Sequence, residues 1–152
     1  MEESIDKTHQ VLFVCTGNYY RSRLAEVYFN HMAAHENLNW TAFSVGTEAE
    51  LGHNEGPVSM HTIEACTRLG IPLATPYRFP VQISKKYLDA CRLAILLNED
   101  EHLPYIQKHF PASMHLVQSW KILDVEYESP ETAIQSLLAR VRDLVLSLKK
   151  KS

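Results

Sequence analysis

No part of the chain is apolar for anything like the ~20 residues that cross a membrane as a helix, so no span is expected. Residues 1–10 are polar and acidic, without the basic stretch and apolar core of a secretion signal. Positive charge is not in excess either: 15 Lys and Arg stand against 18 Asp and Glu, for a net charge of −3. A protein whose main partner is nucleic acid normally needs a basic surface, so no such partner is expected. The closing run Lys149-Lys150-Lys151 reads instead as a solvated helix end that complements the helix dipole. Cysteine is scarce, and the three present form an odd set with no close pairing. That suits a reducing compartment better than a disulfide framework. No internal repeat, low-complexity segment or linker divides the chain. The expectation is a cytoplasmic protein with no membrane partner, and 152 residues, 45% hydrophobic and 22% charged, suffice for one core.

What is present is concentrated near the start. Residues 10–15 form a short, mostly apolar strand that runs straight into Cys15-Thr16-Gly17-Asn18-Tyr19-Tyr20-Arg21-Ser22, and a helical pattern follows at once. A cysteine and an arginine five residues apart at a strand-to-helix turn have a specific use. The turn aims backbone N–H groups inward, the helix N-terminus adds partial positive charge, and the guanidinium closes the ring, which together make an oxyanion cradle. Cys15 at its mouth is expected to be a thiolate near neutral pH. Such a site would bind an oxyanion and attack it.

The rest of the chain alternates strands and helices. After residues 1–9, read as a flexible lead-in, the domain occupies 10–149, with strands expected at 10–15, 39–45, 92–97 and 113–117. Helices are expected at about 22–35, 58–69, 84–89, 99–109 and 130–148. Gly70 and Pro72 close the second helix, Ser84 caps the third, and Ile134, Leu137, Leu138, Val141, Leu144, Val145 and Leu148 mark the last by their spacing. The stretch 119–129 is longer than most connections and is therefore a candidate functional loop. This order predicts an α/β fold: a parallel four-stranded sheet with helices on both faces and ligands at the carboxyl ends of its strands.

The run Val11-Leu12-Phe13-Val14-Cys15-Thr16-Gly17-Asn18 with Arg21-Ser22 resembles the low-molecular-weight protein tyrosine phosphatases and the related thioredoxin-linked arsenate reductases. Ser44-Val45-Gly46-Thr47 is similar to the family's Ser-Ala-Gly-Thr after the second strand, and Asp124 lies where the family keeps an Asp-Pro pair. The resemblance implies a single-domain, flavodoxin-like fold of the phosphotyrosine phosphatase I type, with residues 16–20 and Ser22 (Thr16, Gly17, Asn18, Tyr19, Tyr20) around the substrate phosphate. It further implies that Cys15 attacks phosphorus and that Arg21 stabilises the equatorial oxygens. Ser22 would donate to the sulfur, Asn18 would hold the turn with Ser44 in support, Asp124 would act as general acid and then base, and Tyr127 would wall the substrate ring. The implied partners are a phosphotyrosine protein or small aryl phosphate, with inorganic phosphate as product.

Three positions depart from the family's pattern: Tyr20 replaces its second cysteine, Arg23 a proline, and Val125 the proline after the acid. Without the second cysteine, Cys15 lacks the family's redox partner, and a phenol at Tyr20 could crowd the loop enough to leave a phosphate-binding module with impaired turnover. Glu126 and Glu128 compete with Asp124 for the acid role. Arsenate reduction needs further cysteines near the end of the third strand, where this chain has Leu97-Asn98-Glu99. Cys66 and Cys91 read as small core residues, and Trp120 as packing. His31 and His35 have the i, i+4 spacing of metal ligands, but nothing nearby completes a site. No metal or organic cofactor is implied.

Overall fold

The computed structural model describes residues 9–51, 54–123 and 130–151. Four strands, β1 (Gln10–Cys15), β2 (Thr41–Gly46), β3 (Leu93–Leu96) and β4 (Val117–Ser119), lie in the order β2-β1-β3-β4, every pair parallel. Five helices connect and cover them: α1 (Arg21–His35), α2 (Met60–Leu69), α3 (Lys85–Ala90), α4 (Glu99–His109) and α5 (Pro130–Lys151). Among these described residues no helix is long and apolar enough to cross a membrane.

The central position of β1 explains its sequence. Parallel strands covered on both faces need side chains apolar in both directions. Val11, Phe13 and Cys15 join a core with Leu24, Phe29, Leu137 and Val141 of α1 and α5, while Leu12 and Val14 join Leu88 of α3 and Ile106 of α4 on the opposite face. All four of Val11, Leu12, Phe13 and Val14 are fully buried. At roughly 1.5–3 kcal/mol for each such side chain, this strand is the best-anchored element of the sheet.

The expected elements are present with shifted ends, and one is displaced. The last strand is not at 113–117 but at Val117–Ser119, because Pro111–Leu116 winds into a 3-10 turn. Pro111 sits at its first helical position, where its fixed φ favours winding over extension. Helix α2 begins at Met60, slightly later than expected, where Ser59 Oγ caps it by accepting the His61 N–H at 3.1 Å, and Gly70 closes it at φ 69° as expected. Ser84 takes the position before α3 but makes no side-chain cap bond. The lysine run lengthens α5 to Lys151, and Lys149 Nζ reaches Glu36 at 2.8 Å beyond the end of α1.

In this strand order the chain goes one way from β1 to β2 and the other way to β3 and β4. The carboxyl ends of β1 and β3 therefore border the switch point at which α/β sheets bind ligands. Cys15 closes β1 there, and Asn98 with the first turn of α4 follows β3 across from it.

Candidate active site

Between β1 and α1 the chain turns through residues 16–20, and Asn18 makes the turn possible. Its φ of 52° is left-handed, a conformation asparagine tolerates better than most residues. The side chain is fully buried and used at both ends. Nδ2 donates to Ser22 Oγ at 2.8 Å and to Ser44 Oγ at 2.9 Å, while Oδ1 accepts from the Val81 N–H at 2.9 Å and from Arg78 at 3.2 Å. With one Ser22 lone pair engaged by Asn18, the hydroxyl proton can turn to Cys15 Sγ, 2.8 Å away.

Charged residues hold the loop from behind. Ser44 Oγ donates to Glu26 at 2.6 Å and accepts from Arg78 at 3.1 Å, and Arg78 pairs with Glu26 at 2.7 Å. Arg23 is buried and donates to the carbonyls of Asn18 (3.3 Å), Pro57 (2.9 Å) and Arg78. Burial, together with the neighbouring Arg78 charge, pulls its pKa down to about 10, which still leaves it charged at neutral pH. Gly46 of β2 lies directly beneath the loop. A Cβ there would stand 2.5 Å from the Thr16 carbonyl oxygen and 2.8 Å from the Asn18 nitrogen, both backbone atoms that cannot swing aside.

On the open side, Arg21 is 2% exposed, and its NH1 and NH2 grip the two carboxylate oxygens of Glu101 at 2.9 and 3.1 Å. NH1 also donates to the Ile122 carbonyl at 2.9 Å. Thr16 Oγ1 donates to Glu101 at 3.1 Å and lies 3.1 Å from Nε2 of the fully buried His102. The Asn98 N–H donates to His102 Nδ1 at 3.1 Å, which places the imidazole proton on Nε2, aimed at Thr16. Burial, then the Arg21 charge, lowers His102 to about 4, so it is neutral at pH 7. Burial alone would raise the Glu101 carboxyl, but the hydrogen bonds and charge of Arg21 outweigh it and hold the group below its ordinary value.

Tyr20 takes the N-cap position of α1. Its ring joins the core on the α1 and α5 side, edge-on to His61 at a centroid distance of 5.7 Å. The Tyr19 hydroxyl donates to the Glu55 carbonyl. The Gly17 Cα faces Asn54, whose Nδ2 would stand 2.7 Å from an added Cβ. Cys15, Thr16, Gly17, Asn18, Tyr19, Tyr20, Arg21, Ser22 and Ser44 are thus brought to one place. Asp124 and Tyr127, like Glu126 and Glu128, lie outside the described residues.

Four side chains of the site were not expected in it: Arg23, Arg78, Glu101 and His102. Glu101 and His102 carried a signal only as part of the helix expected at 99–109, and nothing in one dimension connects them to a loop some eighty positions earlier. Of the residues read as structural, Trp120 packs on Phe13 at 5.8 Å, while Cys66 and Cys91 are buried with their thiols raised by burial, Cys91 to about 11. His31 and His35 are exposed on α1.

The sequence pattern of the low molecular weight phosphotyrosine protein phosphatases matches residues 10–151. The chain belongs to this family. The phosphatase is accordingly a hydrolase of phosphorylated substrates. Its fold is shared by YfkJ from Bacillus subtilis, at 23% identity over 95% of this chain and 97% of that one with a TM-score of 0.83. A low molecular weight protein tyrosine phosphatase from T. tengcongensis is similar at 22% identity, covering 95% and 99% with a TM-score of 0.76. A cysteine-to-serine mutant of the YwlE arginine phosphatase, its active-site serine phosphorylated, is similar at 24% identity over 93% of this chain and 96% of that one, with a TM-score of 0.79. No curated protein matches the sequence.

Proposed function

We propose that this phosphatase hydrolyses aryl phosphomonoesters, either phosphotyrosine in proteins or a small aryl phosphate, through a phosphocysteine on Cys15. The observation that carries the reading is the line Asn18–Ser22–Cys15. A buried asparagine fixes a hydroxyl 2.8 Å from the sulfur at the start of a helix whose first residue is Arg21. In the first step Cys15 Sγ attacks phosphorus, an S–P bond forms as the ester P–O bond breaks, and Asp124 gives its proton to the leaving phenolic oxygen. In the second, a water that loses its proton to the same carboxylate attacks phosphorus. The S–P bond breaks with its electrons returning to sulfur, and inorganic phosphate leaves. Loop N–H groups and the Nε–NH2 edge of Arg21 stabilise the charge on the equatorial oxygens. Tyr127 walls the ring of the substrate.

The phosphorylated serine of the YwlE mutant supports covalent transfer in a protein of the same fold. Burial of the Tyr20 ring in the core supports turnover over a binding-only module, since a ring held there does not require a blocked loop. Arsenate reduction is the weaker reading. Cys66 and Cys91 are buried with raised thiols, and Cys91 lies in the core on the other face of the sheet from Cys15. Residues 10–149 are the working unit, and the free cysteines suit a reducing, cytoplasmic setting.

The test is hydrolysis of p-nitrophenyl phosphate and of an alkyl phosphate between about pH 5 and 7 by wild type, Cys15→Ser and Asp124→Asn, since a general acid at work shows as a pH-dependent rate. Cys15→Ser should be inactive, and wild-type activity in that variant removes the nucleophile from the scheme. Asp124→Asn should lose most on the poorer leaving group. Equal losses on both substrates shift the acid role to Glu126 or Glu128.

A further inference from the structure

Glu101 has no part in the scheme above, yet it holds the one arginine that the scheme depends on. Its carboxylate forks onto NH1 and NH2 of Arg21 and accepts the Thr16 hydroxyl. Behind it, His102 holds Thr16 through Nε2, and its Nδ1 is itself pinned by the Asn98 N–H. Asn98 Oδ1 closes the circuit by accepting the Glu101 N–H at 3.3 Å. The first turn of α4 is thereby tied to the loop after β1 through side chains alone.

Two roles are open to a carboxylate so placed. It could compete with phosphate for Arg21, or it could orient Arg21 towards phosphate. A guanidinium has two planar two-donor edges that suit a carboxylate or a phosphate: NH1 with NH2, and Nε with NH2. Glu101 takes the first, on the side where NH1 is also fixed by the Ile122 carbonyl. A carboxylate that only competed with phosphate would not need anchoring by a neutral imidazole and a threonine. We propose that Glu101, locked by Thr16 and His102, is a positioning residue that fixes the plane of Arg21 and so aims its Nε–NH2 edge at the transferring phosphoryl group. This rests on the reading of Arg21 as the arginine that binds the substrate's oxygens.

Glu101→Gln keeps the shape but puts an NH2 against a guanidinium hydrogen, so the fork is lost. An arginine free to rotate still binds a dianion by charge, but it no longer matches the transition state. The expected result for p-nitrophenyl phosphate is a fall in kcat of about 10- to 100-fold with KM changed by less than about 3-fold. Vanadate inhibition should weaken in step with kcat/KM, and phosphate inhibition much less. His102→Leu should reproduce this split. His102→Gln, whose amide N–H can replace Nε2–H, should retain most of wild-type kcat. Should Glu101→Gln fail to fold by thermal melting, Thr16→Val removes only the hydroxyl link and reads the same split. Wild-type kcat in Glu101→Gln overturns the proposal, and so does tighter phosphate binding with kcat unchanged or raised, the mark of a competitor. Equal losses in His102→Gln and His102→Leu overturn the part given to His102. If the wild type hydrolyses no phosphomonoester and Cys15→Ser behaves like it, the underlying reading has failed instead, and that outcome is visible before any Glu101 variant is made.

Discussion

His102 shows how a single side chain can tie pH to stability in this molecule. Buried at the start of α4 against Arg21, it stays neutral down to about pH 4 in the folded state, whereas in the unfolded chain it titrates near 6.5. As pH falls from 6.5, the unfolded state takes up a proton that the folded state refuses, so stability declines until about pH 4 and is independent of this group above 6.5. The full loss is roughly 3 kcal/mol. Glu101 acts lower: its lowered carboxyl contributes stability that is lost only below its ordinary value of 4.5. Urea midpoints measured from pH 7 to 4.5 should therefore drop for wild type and drop much less for His102→Gln. Parallel curves would show that His102 exchanges protons freely in the folded state. Asn18 works through hydrogen bonds rather than charge. The family resemblance implied that it holds the turn, but its contacts with Val81 and Arg78 came from a segment with no motif to announce it.

Among the elements, β2 has the least obvious part in the site. It contributes Ser44 to the polar network and Gly46 to the floor, and in the parallel register Gly46 stands opposite Cys15. Because an added methyl at Gly46 would meet loop backbone at 2.5 Å, Gly46→Ala should lift the loop off the sheet. We expect stability to fall by about 1–3 kcal/mol, as in other overpacked cores, and hydrolysis of p-nitrophenyl phosphate to fall more than the fold does. A Gly46→Ala protein with the wild-type melting point and rate would mean that the loop is more pliant than this packing implies. The stop of α2 was legible at Gly70, whereas the caps that α2 and α4 use, Ser59 and Asn98, were not singled out, and Ser84, which was, makes no side-chain cap bond. The displaced β4 was not legible. A strand three residues long has too few positions for alternation to show, and its place is set by pairing with Ala94–Leu96 of β3.

At the scale of the whole molecule, the sheet separates the cysteines. Cys15 and Cys66 belong to the core on the α1 and α5 side and Cys91 to the core on the other, all three free and buried. Tyr20 occupies the position from which a neighbouring thiol could reach Cys15. Peroxide should therefore inactivate the enzyme without forming an intramolecular disulfide, and reductant should recover less activity once oxidation passes the sulfenic acid. Peptide mapping of the oxidised protein checks this, and a Cys15–Cys66 linkage would show that the core opens far more readily than its packing suggests.

The sequence by itself determined the order of strands and helices, the parallel sheet, the Cys15 to Ser22 cradle with Ser44 behind it, and the family. Apart from Ser44, whose place came only from the family resemblance, each of these is written in neighbouring residues or in a short period, so a local reading finds it. Only the tertiary structure decided what surrounds the cradle. The strand order β2-β1-β3-β4 sets the end of β3 beside the end of β1, and that adjacency brings Glu101 and His102 to Arg21 and Thr16. The chain's return past β2 likewise brings Arg78 to Asn18 and Glu26. Charges and hydrogen bonds act across a few ångströms of space, and how far apart two residues lie along the chain leaves no mark on that distance until the sheet has formed.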